Sequence, residues 1–245
     1  MIKLLLHKLY EIGGVDMKYT TLFFDADNTL LDFRATEKEA LQRTFEQYGL
    51  VFEGDLRDAY FEINSDLWYQ YQHDMISRKE VTDGRFVALF EKFSIPLDGV
   101  EVERVYEREL SKSHILMKDA LEVVSKLSQT FTLYIVSNGI SLTQHSRLKD
   151  SGLQPYFKDV FVSDAIGYRK PMKEYFDVCF ERIKGLSREE VLLIGDTLHN
   201  DMRGGLVAGI DTCWMNPLHL ENKDEITVTY EIDELVQLYS ILGVE

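Results

Sequence analysis

Apolar positions in this chain come in short unbroken blocks, and polar positions between them recur with a helical period. Tyr19–Phe24 is a continuous apolar and β-branched run, the pattern of a strand covered on both faces. The pattern returns at Phe131–Val136, Val160–Val162, Val191–Ile194 and Thr212–Met215. Between these runs, Ala120–Ser128, Leu142–Asp150, Met172–Ile183 and Asp201–Ala208 carry the period of helices. Buried strands alternating with helices predict an α/β fold, a Rossmann-like doubly wound parallel sheet. Ligands of such sheets bind beyond the carboxyl ends of the strands, where the strand order switches.

One stretch breaks the alternation. Thr36–Tyr48, Leu56–Tyr71, Asp83–Phe93 and Val100–Ser113 read as helices, interrupted by Gly49, by Ser77–Lys79 and by Ile95-Pro96, with no strand pattern among them. This predicts an inserted helical cap domain at residues 35–114, within a core domain made of residues 17–34 and 115–245. Inserted just after the first strand, such a cap is expected over the strand ends, where closure would exclude water and contact the rest of a ligand. Trp68, Tyr69, Tyr71 and His73 could stack on a ligand ring there or pack within the cap. Residues 1–16 read as an N-terminal extension ahead of Met17. Their apolar run is interrupted by His7 and Lys8 and no small-residue cleavage site follows, which argues against export.

Composition narrows the function classes. With 245 residues, 45% of them hydrophobic, the chain can bury a sizeable core. Its 42 acidic against 27 basic residues give a net charge of −15, and no basic run is long enough to follow a nucleic-acid backbone, so a polymer partner is not expected. No apolar stretch reaches the length of a membrane span, and no membrane partner is expected. Cys179 and Cys213 lack metal-site spacing and read as reduced packing residues, which suits a cytoplasmic protein. Oligomeric state is not legible.

Four polar signatures stand at the predicted strand ends or the loops after them. The first is Asp25-Ala26-Asp27-Asn28-Thr29, at the tip of the first strand. A carboxylate such as Asp25 can attack phosphorus when fixed in line, forming an aspartyl-phosphate and splitting one hard displacement into two easier ones. Asp27, two residues on, can protonate the leaving alkoxide and then act as base for water, and its backbone carbonyl can reach a cation. The second signature, Ser137-Asn138-Gly139, offers a hydroxyl and turn amides to a phosphate, or caps the next helix. The third, Lys170-Pro171, places an ammonium at a helix start, with Pro171 at the first helical position, where it can meet the phosphate and shield it from Asp25. The fourth runs from Gly195-Asp196 to Asp201: Asp196 is the better direct ligand of a magnesium ion, while Asp201 completes the shell through water, orients Lys170 or caps a helix. All these ligands are oxygens, which favours magnesium over zinc.

In combination and order, the D-x-D-x-T at Asp25, Ser137, Lys170 and the G-D-x-x-x-x-D ending at Asp201 resemble the four motifs of the haloacid dehalogenase superfamily with a C1-type cap, over about residues 19–240. The resemblance implies Asp25 as nucleophile, Asp27 as acid/base, Ser137 and Lys170 as phosphate ligands, and Asp25, the Asp27 carbonyl and Asp196 around Mg2+. Gly204-Gly205, Ala208–Pro217, Leu148–Leu153 and Lys170–Phe176 are similar to the YjjG/YfnB-like branch, which includes 5′-nucleotidases. It implies a phosphohydrolase whose small phosphorylated substrate is a pyrimidine nucleoside monophosphate. Alternatives on the same fold are a phosphatase of sugar phosphates or other small esters, a phosphomutase and a 2-haloacid dehalogenase. Asp27 argues against the last, since a leaving halide needs no proton. A catalytically silent phosphate sensor is the alternative from another class, and the intact acidic set argues against it.

Overall fold

The computed structural model describes residues 17–244, so the extension expected at residues 1–16 lies outside the described residues. In chain order the principal elements are β1 (Thr21–Phe24), α1 (Phe33–Gln47), α2 (Gly54–Gln72), α3 (Arg78–Phe93), α4 (Gly99–Lys112), α5 (Ala120–Leu127), β2 (Thr132–Ser137), α6 (Ser141–Asp150), β3 (Phe157–Val162) and α7 (Ser163–Ile166). They continue through α8 (Lys173–Ile183), β4 (Val191–Gly195), a π-helical turn (Leu198–Met202), α9 (Arg203–Ala208), β5 (Asp211–Met215), β6 (Tyr230–Ile232) and α10 (Leu238–Leu242). The chain divides into two compact units. One is Phe33–Ile115, and the other comprises the described residues up to Asp32 and from Leu116 onward.

In the second of these units six parallel strands lie in the order β3-β2-β1-β4-β5-β6. This is the doubly wound, Rossmann-like sheet expected from the sequence, with the direction of progression switching beside β1. All four β1 residues are buried because both faces of the strand are covered. Leu22 and Phe24 face a cluster with Val123, Val124 and Leu127 of α5 and Leu148 of α6. Phe23, with the opposite parity, faces Tyr175, Phe176 and Cys179 of α8. Cys179 and Cys213 are free and buried, and burial pushes both thiols up to about 12, so they serve as packing.

Phe33–Ile115 holds α1–α4 around an aromatic core that includes Phe45, Phe52, Tyr60, Phe86, Phe90 and Tyr106. Within it the buried Arg85 meets Glu103 through two hydrogen bonds, donates to Asn64 at 3.2 Å and lies over the Tyr106 ring at 4.7 Å. A helix boundary differs from the sequence expectation. Helix α3 starts five residues before Asp83, because Ser77 and Glu80 form a reciprocal capping box where a break was expected. Trp68, Tyr69, Tyr71 and His73 pair edge-on or at a tilt among themselves and are not part of the buried aromatic core of this unit. Among the described residues, no helix is long and apolar enough to cross a membrane.

Candidate active site

The strand register assembles the site. Phe24 is level with Ile135 of β2 and Ile194 of β4, so one step further on Asp25 lies between Val136 and Gly195. The Asp25 N–H donates to the Ile194 carbonyl at 2.8 Å, which continues the ladder and fixes the backbone from which the buried carboxylate projects.

Lys170 reaches the same point from the loop before α8. Its ammonium donates to Asp25 Oδ1 at 2.7 Å, Asp201 Oδ1 at 2.6 Å and the Val136 carbonyl at 2.8 Å. Those three bonds use all three of its hydrogens, so a phosphoryl oxygen could take a bond from Lys170 only by replacing one of them. Lys170 is not at a helix start: α8 begins at Lys173, and Pro171 sits in a turn closed by a bond from the Met172 N–H to the Arg169 carbonyl at 2.8 Å. Asn138, expected to meet a phosphate through the turn amides, has its side chain committed elsewhere. Its carboxamide donates to the Lys170 carbonyl at 2.9 Å and accepts the Lys170 N–H at 2.8 Å, so it clamps the lysine backbone instead.

Asp201 also has both oxygens engaged. Oδ1 takes the Lys170 bond, while Oδ2 accepts the Thr197 N–H at 3.0 Å and the Thr197 hydroxyl at 2.5 Å. This arrangement favours orienting Lys170 over direct metal ligation. Gly195 makes the approach possible, since a Cβ there would stand 2.3 Å from Asp201 Cγ. The carboxylate of Asp196 makes no hydrogen bond among the described residues, and its backbone carbonyl is held by the Trp214 indole at 2.9 Å.

The electrostatics follow from burying several acids around one ammonium. Burial pushes Asp25 up to about 7; Lys170 opposes the rise, and the Asp201 and Asp27 carboxylates add to it. Asp196 is raised well above the usual carboxylate range, first by its removal from water and then by Asp25 and Asp201. Burial alone would lower the Lys170 value, but the Asp201 and Asp25 carboxylates outweigh it and hold the ammonium charged. Ligand oxygens of Asp25, Asp196 and Asp201 lie within 4.8 Å of one another. Crowded, oxygen-only and in excess of their one cation, these carboxylates fit a hard divalent ion, which would relieve the repulsion that raises Asp25 and Asp196.

Two further side chains escaped the sequence reading. Gln144 and Arg147 of α6 are buried and bond to Asp27, with Gln144 also bonding to Ser137. The sequence carried no signal for them: on a helix whose only leucines are Leu142 and Leu148 they read as part of a polar face.

Comparison with known proteins gives this geometry a family context. The haloacid dehalogenase-like hydrolase family matches residues 22–215. YfnB of Bacillus subtilis is 47% identical over 228 residues, covering 93% of this chain and 97% of that protein. A crystal structure of YfnB bound to magnesium, which reveals interdomain movement, aligns with a TM-score of 0.89 over 92% of this chain and 99% of that one. The pyrimidine 5′-nucleotidase PynA of Streptococcus pneumoniae is 37% identical, over 88% of this chain and 92% of that protein. The pyrimidine 5′-nucleotidase YjjG of Escherichia coli is 30% identical, over 92% and 99% respectively.

Proposed function

The chain belongs to the haloacid dehalogenase-like hydrolases, and from that membership we propose that it is a magnesium-dependent 5′-nucleotidase working through an aspartyl-phosphate on Asp25. The observation that carries this reading is the meeting of a buried Asp25, the charged Lys170 and the unbonded Asp196 carboxylate at the tips of adjacent strands. Asp25 has one oxygen on Lys170, which leaves Oδ2 to attack phosphorus. Asp27 gives a proton to the departing nucleoside oxygen. It then takes one from the water that cleaves the phosphorylated Asp25, regenerating the free carboxylate and releasing phosphate. Ser137 donates its hydroxyl hydrogen to a phosphoryl oxygen. Lys170, oriented by Asp201 and Asn138, offsets the charge between nucleophile and substrate. Asp25, Asp196 and the Asp27 carbonyl would hold Mg2+, with Asp201 behind them, and the ion supplies neutralisation of phosphoryl charge when bound. The names of the PynA and YjjG relatives support a pyrimidine nucleoside monophosphate as substrate.

The test is phosphate release from a panel of nucleoside monophosphates and sugar phosphates with magnesium present. Deoxyuridine or thymidine monophosphate should be preferred, and Asp25→Asn should abolish turnover without altering the fold. Strong preference for sugar phosphates over every nucleotide would remove the nucleotidase assignment; activity retained in Asp25→Asn would remove the mechanism.

A further inference from the structure

Helix α6 holds two of the groups assigned to catalysis, and the inference drawn from it rests on the phosphatase reading above. Gln144 and Arg147 stand three residues apart on α6 and so share a face, and both are buried. The Gln144 amide nitrogen donates to Asp27 Oδ2 at 2.5 Å and to Ser137 Oγ at 3.0 Å. An amide has two such hydrogens, and these contacts use both. The amide oxygen accepts from Arg147 at 3.5 Å, which turns the nitrogen toward Asp27. Arg147 donates to the other oxygen of Asp27, Oδ1.

The consequences differ for the two residues held. Ser137 Oγ accepts from Gln144 and, at 3.0 Å, from the Gly139 N–H, which occupies both lone pairs and leaves its hydrogen as the one thing it can offer. It is thereby set as a donor toward a phosphoryl oxygen. Asp27 has an N–H on each oxygen, one from a guanidinium, so both of its oxygens are fixed in place. Gly139 is part of the same device: a Cβ there would stand 2.3 Å from Gln144 Nε2 and 2.6 Å from its Cγ, blocking the path of the side chain.

We infer that Gln144, braced by Arg147, is a positioning residue: it ties Asp27 to the phosphoryl donor Ser137 and keeps the Asp27 side chain aimed as the leaving group departs and as water attacks the phosphorylated Asp25. In the latter step a water proton passes to Asp27, a bond forms from the water oxygen to phosphorus, and the bond from phosphorus to Asp25 breaks.

The two kinetic parameters separate this role from a merely structural one. Departure of the leaving group completes kcat/KM, whereas kcat also contains hydrolysis of the intermediate. An aryl phosphate, whose leaving group needs no proton, isolates the step in which Asp27 acts as base: with Gln144→Ala its kcat should fall at least about tenfold, since general acid–base catalysis contributes roughly 10² or more, with a burst of leaving group and a far smaller change in kcat/KM. For a nucleoside monophosphate, whose departing oxygen needs the proton, kcat and kcat/KM should both fall. Gln144→Met, which keeps the length and removes both donors, should behave alike if the alanine variant folds poorly. Arg147→Met should follow the same pattern, with Arg147→Lys recovering much of the loss. For the aryl phosphate, equal falls in kcat and kcat/KM without a burst, or no change in kcat, would overturn the inference while an active, Asp25-dependent wild type left the phosphatase reading standing. A wild type that releases no phosphate from any ester would overturn both.

Discussion

At the scale of single residues, Asp25 is caught between two demands. To serve as the proposed nucleophile it must be ionised, yet it is buried beside other acids, and its value of about 7 stands far above the ordinary 3.8. Between those two values the metal-free folded protein holds a proton that the unfolded chain has released. Its stability therefore falls as pH rises through that window, by a few kcal/mol on the basis of about 1.4 kcal/mol per unit. Asp196 is shifted in the same direction and adds to the effect. A divalent ion held there would bind the ionised carboxylates and so compete with the protons. In the presence of a chelator, the melting temperature should drop between about pH 5.5 and about pH 8, and magnesium should raise it more at the higher pH. Thermal unfolding at the two pH values, with and without magnesium, measures this; a magnesium effect equal at both would contradict the electrostatic account.

At the scale of elements, legibility in the sequence followed burial. Strands β1, β2, β4 and β5 are covered on both faces, so their apolar runs announce them, and Asp25, Ser137 and Asp196 follow from their ends. Strand β6 was missed because three residues at a sheet edge, with Glu231 exposed in the middle, carry no such run. The clamp of the Asn138 side chain on Lys170 was not legible, because the two residues lie 32 positions apart. Gln144 and Arg147 look like a solvated helix face until the fold turns that face onto Asp27. The end of β4 shows how closely strand and chemistry are tied. An alanine at Gly195 would force Asp201 away and unseat Lys170, whereas one at Gly205 would meet Thr212 Cγ2 at 2.2 Å, with no site residue among its close contacts. Overpacking of this kind costs about 1–3 kcal/mol, so both Gly195→Ala and Gly205→Ala should lower the melting temperature. Well below melting, however, only Gly195→Ala should lose kcat, by at least about tenfold, since a misplaced catalytic group carries a penalty of that order or more. Comparable kcat in the two variants would show that the contact between Gly195 and Asp201 does not matter for turnover.

At the scale of the whole molecule, the net charge of −15 sets a field that the site itself does not cancel. Asp25, Asp196 and Asp201 against Lys170 leave a local excess of two negative charges, which one divalent ion neutralises, while Asp27 is paired with Arg147. With the ion bound, the near field is balanced and the far field stays negative. A phosphate ester, itself an anion, therefore approaches against long-range repulsion. Raising ionic strength from about 0.01 M to about 0.15 M shortens the screening length from about 30 Å to about 8 Å, which removes most of that repulsion. At constant free magnesium, kcat/KM should then rise by roughly twofold or more, while kcat, which no longer contains the encounter, should hold steady. The sign is decisive: a kcat/KM that falls with salt would mean that a local excess of positive charge governs capture. In that case the balance struck among Asp25, Asp196, Asp201, Lys170 and the bound ion would have to be redrawn with the cations in surplus.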